Sequence, residues 1–145
     1  MGLSWYNGHS PEKRERVARW LEEQWTAGTL PRPSRCIVCD QTEGAIHGHL
    51  EDYDQPTSYV DLCITCHLVL HARFRRPAAF IEYRDRVARG WQAPPLTQRV
   101  AWVTLNRGIL AGRFPPGTWR DVPPGVTFLD GLPLDRGGTR GQART

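Results

Sequence analysis

All four cysteines of this chain fall between Cys36 and Cys66, as two Cys-x-x-Cys pairs at 36/39 and 63/66. Two such knuckles can close four thiolates around one Zn²⁺ in a tetrahedron, whereas structural disulfides belong to oxidising compartments. The spacing therefore predicts a zinc-stapled fold with Cys36, Cys39, Cys63 and Cys66 as structural ligands, in a reducing cytoplasm. Hydrophobic residues make up 39% of the 145 residues, alongside 14 glycines and 12 prolines. The core is expected to be modest, with the metal supplying part of the folding free energy. No apolar run approaches the roughly 18 residues a membrane span requires, so no membrane partner is expected. The opening Met1-Gly2-Leu3-Ser4-Trp5-Tyr6 has no basic-then-apolar leader and does not fit the myristoylation pattern.

Local signals place the remaining elements. Ser10-Pro11-Glu12 reads as a helix start, with a serine N-cap, proline in the first turn and an acid beside it. Val17, Trp20, Leu21 and Trp25 recur at helical spacing, and Gly28 suits a C-cap, so a helix over 11–27 is expected to bury that stripe. Two strands, 45–50 and 59–62, flank the polar stretch Glu51 to Ser58. A helix then runs from about Ile64 and ends before Pro77, with His67 and His71 four apart on one face. Pro77 opens another helix that Gly90 closes, and a further one is expected from Leu96 to Ala111. Beyond Phe114, Pro-Pro-Gly motifs indicate a coil-rich arm that packs through Trp119, Val126 and Phe128. Residues 135–145 carry no apolar anchor and are expected to be disordered.

Charge is distributed unevenly. Residues 40–61 hold six acids and no Lys or Arg, while residues 72–113 hold nine arginines against Glu82 and Asp85. A segment at +7 beside one at −6 favours a polyanion partner, with Arg73, Arg75, Arg76 and Arg84 as candidate phosphate contacts. The opposing reading is solvated helices in a chain that uses Arg for Lys, since Lys13 is its one lysine.

The text Cys36-x-x-Cys39, His49, Asp52-Tyr53, Pro56, Leu62-Cys63, Cys66-His67 and His71 resembles the HNH nucleases, whose ββα-metal finger is often braced by a four-cysteine zinc. Its spacing looks like one common bacterial and phage subgroup, over about a quarter of the chain. The resemblance implies an α+β fold: a small zinc-stapled ββα finger, treble-clef or HNH-like, with flanking helices and a coil-rich C-terminal arm. Five segments are expected: helical 1–30, the finger 31–76, an Arg-rich helical 77–113, the arm 114–134 and the tail 135–145. A bacterial or phage-infected cytoplasm is the implied location.

In such a finger a divalent cation stabilises the scissile phosphate while a neutral imidazole takes a proton from water. Carried across by position, His49, His67 and His71 become ligands of a second cation: Mg²⁺, Mn²⁺, Ni²⁺ or Zn²⁺. Leu50 then falls where the general-base histidine belongs, and leucine accepts no proton. Shifting the register makes His49 the catalytic base but leaves Gly48 as a ligand without a donor. His47 and Glu51 are the candidate substitutes for the base. His67 and His71 also have a plain reading as packing and helix-capping residues, and His9 is expected to be inert. Two functions follow from the resemblance. One is a zinc platform that binds nucleic acid, principally DNA, or a protein through the acidic loop 40–61, with cleavage impaired or lost. The other is an active metal-dependent endonuclease.

Overall fold

The computed structural model describes residues 3–97, 99 and 101–135. In chain order these form α1 (Pro11–Ala27), β1 (Ile46–His49), β2 (Val60–Cys63), α2 (Ile64–Ala72), α3 (Pro77–Ala88), β3 (Trp91–Gln92), α4 (Trp102–Leu110) and β4 (Thr118–Trp119). Short 3-10 turns lie at Pro56–Ser58 and Phe128–Gly131. β1 pairs with β2 and β3 pairs antiparallel with β4, giving a small α+β fold. The described chain divides into two compact units, residues 3–32 with 48–60, and residues 33–47 with 61–135. None of the described helices is long and apolar enough to cross a membrane.

The first unit is built on α1. Ser10 accepts from the Lys13 amide at 3.1 Å, Pro11 occupies the first turn, and Gly28 ends the helix at φ 79. That positive φ is the left-handed conformation glycine adopts without a Cβ penalty. The buried stripe differs from the expected one. Leu21 is buried and Val17 and Trp25 are half-buried, but Trp20 lies off the stripe and stays 38% exposed. Its place is taken by Arg14, 7% exposed, one helical repeat before Leu21. The Arg14 guanidinium lies 5.2 Å from the Tyr6 ring and 5.3 Å from the Tyr53 ring, and donates to the Ser4 carbonyl (2.5 Å) and the Tyr53 hydroxyl (3.2 Å). Burial is tolerated because the charge is satisfied by oxygens and aromatic faces. At the far end, Trp25 packs edge-on to Tyr59, whose hydroxyl donates to the Pro31 carbonyl at 2.6 Å.

The second unit holds the main apolar core. α2 buries Ile64, Val69 and Leu70, and α3 buries Ala79, Phe80, Tyr83 and Val87 on one helical face. Residues 93–96 form an extended strap rather than the start of a helix: the Ala93 carbonyl accepts from Gln41 Nε2, and the Leu96 carbonyl from the Ala45 amide, each at 2.7 Å. With its carbonyl committed to the Ala45 amide, Leu96 cannot open a helical turn, and α4 begins at Trp102. Gly44 permits the strap to approach: at φ 74, a Cβ there would lie 2.5 Å from the Leu96 oxygen.

The C-terminal arm packs through other residues than expected. Trp119 remains 57% exposed and Val126 90%, while Phe128 is half-buried and its neighbour Leu129 is fully enclosed. The arm adds β4 to β3 with Trp119 opposite Trp91. Arg86 lies under this join, its guanidinium 5.6, 5.2 and 5.8 Å from the rings of Trp91, Phe114 and Trp119. Apart from Asp135, the tail expected to be disordered lies outside the described residues.

Candidate metal centre

The two cysteine pairs converge within the second unit. The sulfurs of Cys36, Cys39, Cys63 and Cys66 all lie within 4.8 Å of one another, and those of Cys39 and Cys63 are 3.7 Å apart. A tetrahedral zinc with bonds of about 2.3 Å has sulfur–sulfur edges of about 3.8 Å. The donor set therefore fits a structural zinc, and all four side chains are buried. The first knuckle turns back at Asp40, whose φ of 68 lets the Cys36 amide reach the Gln41 carbonyl at 2.9 Å. The second uses the end of β2 and the first turn of α2, so Cys63 and Cys66 are fixed by both elements.

Around the sulfurs, α3 and β3 supply polar support. The Tyr83 hydroxyl lies 3.0 Å from Cys66 Sγ, and Gln92 Nε2 donates to the Cys39 carbonyl at 3.1 Å. Burial pushes the Tyr83 phenol well above its ordinary value, so it stays protonated and is able to donate to a thiolate at Cys66. Burial likewise pushes the Cys66 thiol up, whereas thiol hydrogen bonds, that of Cys39 foremost, hold Cys36 down. Metal binding must displace the protons that this crowding redistributes.

Three histidines gather in the same unit. His67 and His71 bring their Nε2 atoms to 3.2 Å on successive turns of α2. Two imidazoles on one cation, with bonds near 2.1 Å, hold their nitrogens about 3.0–3.4 Å apart. His47 Nδ1 lies 3.0 Å from Nδ1 of His67, and the His47 ring stacks on Trp102 at 5.7 Å and 14°. His47 thus backs the second nitrogen of His67.

His49 belongs to the first unit and is 2% exposed. Its Nε2 is 2.5 Å from a Glu51 carboxylate oxygen, which also receives the Tyr6 hydroxyl. Asn7 Nδ2 donates to the other Glu51 oxygen and to its backbone carbonyl, both at 2.9 Å. Glu51 is therefore a carboxylate partner of His49. An imidazole that donates from Nε2 keeps its Nδ1 lone pair for a cation or a proton. Leu50, between them, is a core residue at 3% exposure. His9 is also engaged: the Tyr53 amide donates to its Nε2 at 3.3 Å and Asp52 lies 3.4 Å away. Burial, then the charge of Lys13, lowers its pKa, consistent with a neutral acceptor ring.

The arginine assignments need one correction. Arg73 is fully buried, with Nε donating to the Pro133 carbonyl at 2.8 Å and Nη1 to the Leu70 carbonyl at 3.0 Å, so it is a structural residue and not a phosphate contact. Arg84 lies 3.4 Å from Asp130. Arg75 and Arg76 are exposed, with no side-chain hydrogen bond or ion pair among the described residues. Much of the acidic segment is engaged within the chain: Asp54 by Lys13, Asp40 by Arg35 and Arg120, and Asp61 by the Ser34 amide. No protein-family model, no curated protein and no solved structure matches this chain.

Proposed function

We propose that this chain is a zinc-stapled, HNH-nuclease-like protein, its ββα finger braced by the four cysteines, that binds nucleic acid with cleavage impaired or lost. The observation that carries this reading is the His67–His71 pair, with nitrogens at chelating separation and His47 behind them. The resemblance supplies His49 as the third ligand. A cation held there would neutralise phosphate charge, and the exposed Arg75 and Arg76 would add sequence-blind phosphate contacts. Leu50 occupies the position where the family has its base, and a buried leucine takes no proton. The neutralised acidic segment weighs against the loop 40–61 as the principal docking surface.

A second reading, an active endonuclease, is favoured by the His49–Glu51 contact at 2.5 Å. A carboxylate that accepts from Nε2 fixes the tautomer and raises the basicity of the other nitrogen, as a proton acceptor for water requires. Incubation with supercoiled plasmid and added Mg²⁺, Mn²⁺ or Ni²⁺ separates the two. The first reading expects cation-strengthened DNA binding without nicking, lost in His71→Ala at unchanged zinc content, and nicking gained in Leu50→His. Nicking by the native chain that Glu51→Gln abolishes would establish the second. DNA binding indifferent to both cations and His71 would sink the pair of them.

A further inference from the structure

α2, with the turn that follows it, meets α4 in an open groove of about 370 Å³, lined by Leu68 of α2, Arg75 of the turn, and Trp102, Asn106, Arg107 and Leu110 of α4. Three features of this groove bear on what it could hold. Its two arginines are exposed and, like Arg76 beside them, have no ion pair or side-chain hydrogen bond among the described residues, whereas Arg73, Arg84, Arg86 and Arg120 are engaged. Its walls are apolar: α4 fully buries only Ile109 and leaves Val103 70% exposed. Its aromatic wall, Trp102, is held in place by the stacked ring of His47, which in turn contacts His67.

An indole, an aliphatic wall, one amide and two unneutralised guanidinium groups match a flat heteroaromatic ring flanked by phosphates. The volume lies within the range of small-molecule sites. We propose that this groove is the subsite for an unpaired nucleotide of single-stranded nucleic acid. The base lies against Trp102 with Asn106 available to its edge, and Arg75 and Arg107 take adjacent phosphates. A duplex could use the arginines but keeps its bases stacked away from the indole, so single strands are favoured. The inference rests on the nucleic-acid reading above and deepens it. His47, touching both Trp102 and His67, sets the bound nucleotide one ring away from the candidate cation ligands.

The test compares three fluorescent probes by anisotropy without added divalent cation: a thymidine oligonucleotide, an abasic oligonucleotide of equal length, and a duplex. Stacking on one aromatic residue predicts that the thymidine strand binds about tenfold more tightly than the abasic strand. Trp102→Leu should erase that difference while leaving abasic affinity unchanged, and Val103→Glu, at an exposed site, should weaken all three probes without disturbing the fold. The double variant Arg75→Ala/Arg107→Ala should weaken both single strands about tenfold and reduce the salt dependence by about one to two phosphate contacts. Equal affinity for thymidine and abasic strands, duplex binding as tight as single-strand binding, or insensitivity to Trp102 would each overturn the proposal. The same measurements on His71→Ala separate the two ideas. When they are repeated with and without Mn²⁺ on the native chain and on His71→Ala, a thymidine preference retained by both proteins with no strengthening by the cation in either would sink the cation reading and leave the groove standing.

Discussion

The two units solve the problem of a small core in different ways. In the second, four buried thiols come within 4.8 Å of one another, and the donor set fits one cation. In the first, the buried polar groups are Arg14 and His49, each satisfied by protein oxygens: Ser4 and Tyr53 for one, Glu51 for the other. One arrangement makes folding depend on a metal, the other on protons and hydrogen-bond geometry. The same chain should therefore respond to chelators and to acid in different places.

Removing the metal should have the largest effect. Structural zinc contributes on the order of 10 kcal/mol in small domains, so Cys66→Ser or exhaustive chelation should take zinc from one per chain to none. Hydrogen exchange should then show α2 and α3 losing protection while α1 retains it. Equal loss in α1 would break the contrast. Next is Arg14→Met, which keeps bulk but leaves the Ser4 carbonyl and Tyr53 hydroxyl without their donor. Losing such buried partners costs about 2–3 kcal/mol, expected as faster exchange in α1 at unchanged zinc stoichiometry. The smallest effect is on pH. The folded state holds His9 below its ordinary value of 6.5. The unfolded chain therefore takes up the proton first as pH falls, and stability present above 6.5 declines below it. His9→Asn should flatten that decline in denaturant titrations, and an unchanged slope would remove His9 from the account.

What the sequence revealed was local. Ser10, Pro11 and Gly28 specify both ends of α1 by chemistry confined to one turn, and the cysteine spacing specifies the zinc cluster because each knuckle is a short turn. What it hid was long-range. Arg73 looks like its charged neighbours until the Pro133 carbonyl, sixty residues away, is seen to accept from it. Trp119 looks like a core residue, yet Leu129 is the one enclosed, and no periodicity in a Pro/Gly-rich arm distinguishes them. The strap that delays α4 depends on Gln41 and Ala45. The hydrogen bonds that Tyr6 and Asn7 donate to Glu51 cross more than forty residues, and no local pattern connects them.

The phenol of Tyr83 makes the four sulfurs unequal. A hydrogen bond from the phenol to a Cys66 thiolate draws electron density from a sulfur that, like Cys39, is fully removed from solvent, and so weakens it as a nucleophile. Alkylating agents and peroxides should accordingly find Cys63 or Cys36 first, since these keep the little access there is. Damage would then begin at the strand end or the loop, with the helical anchor the last to let go.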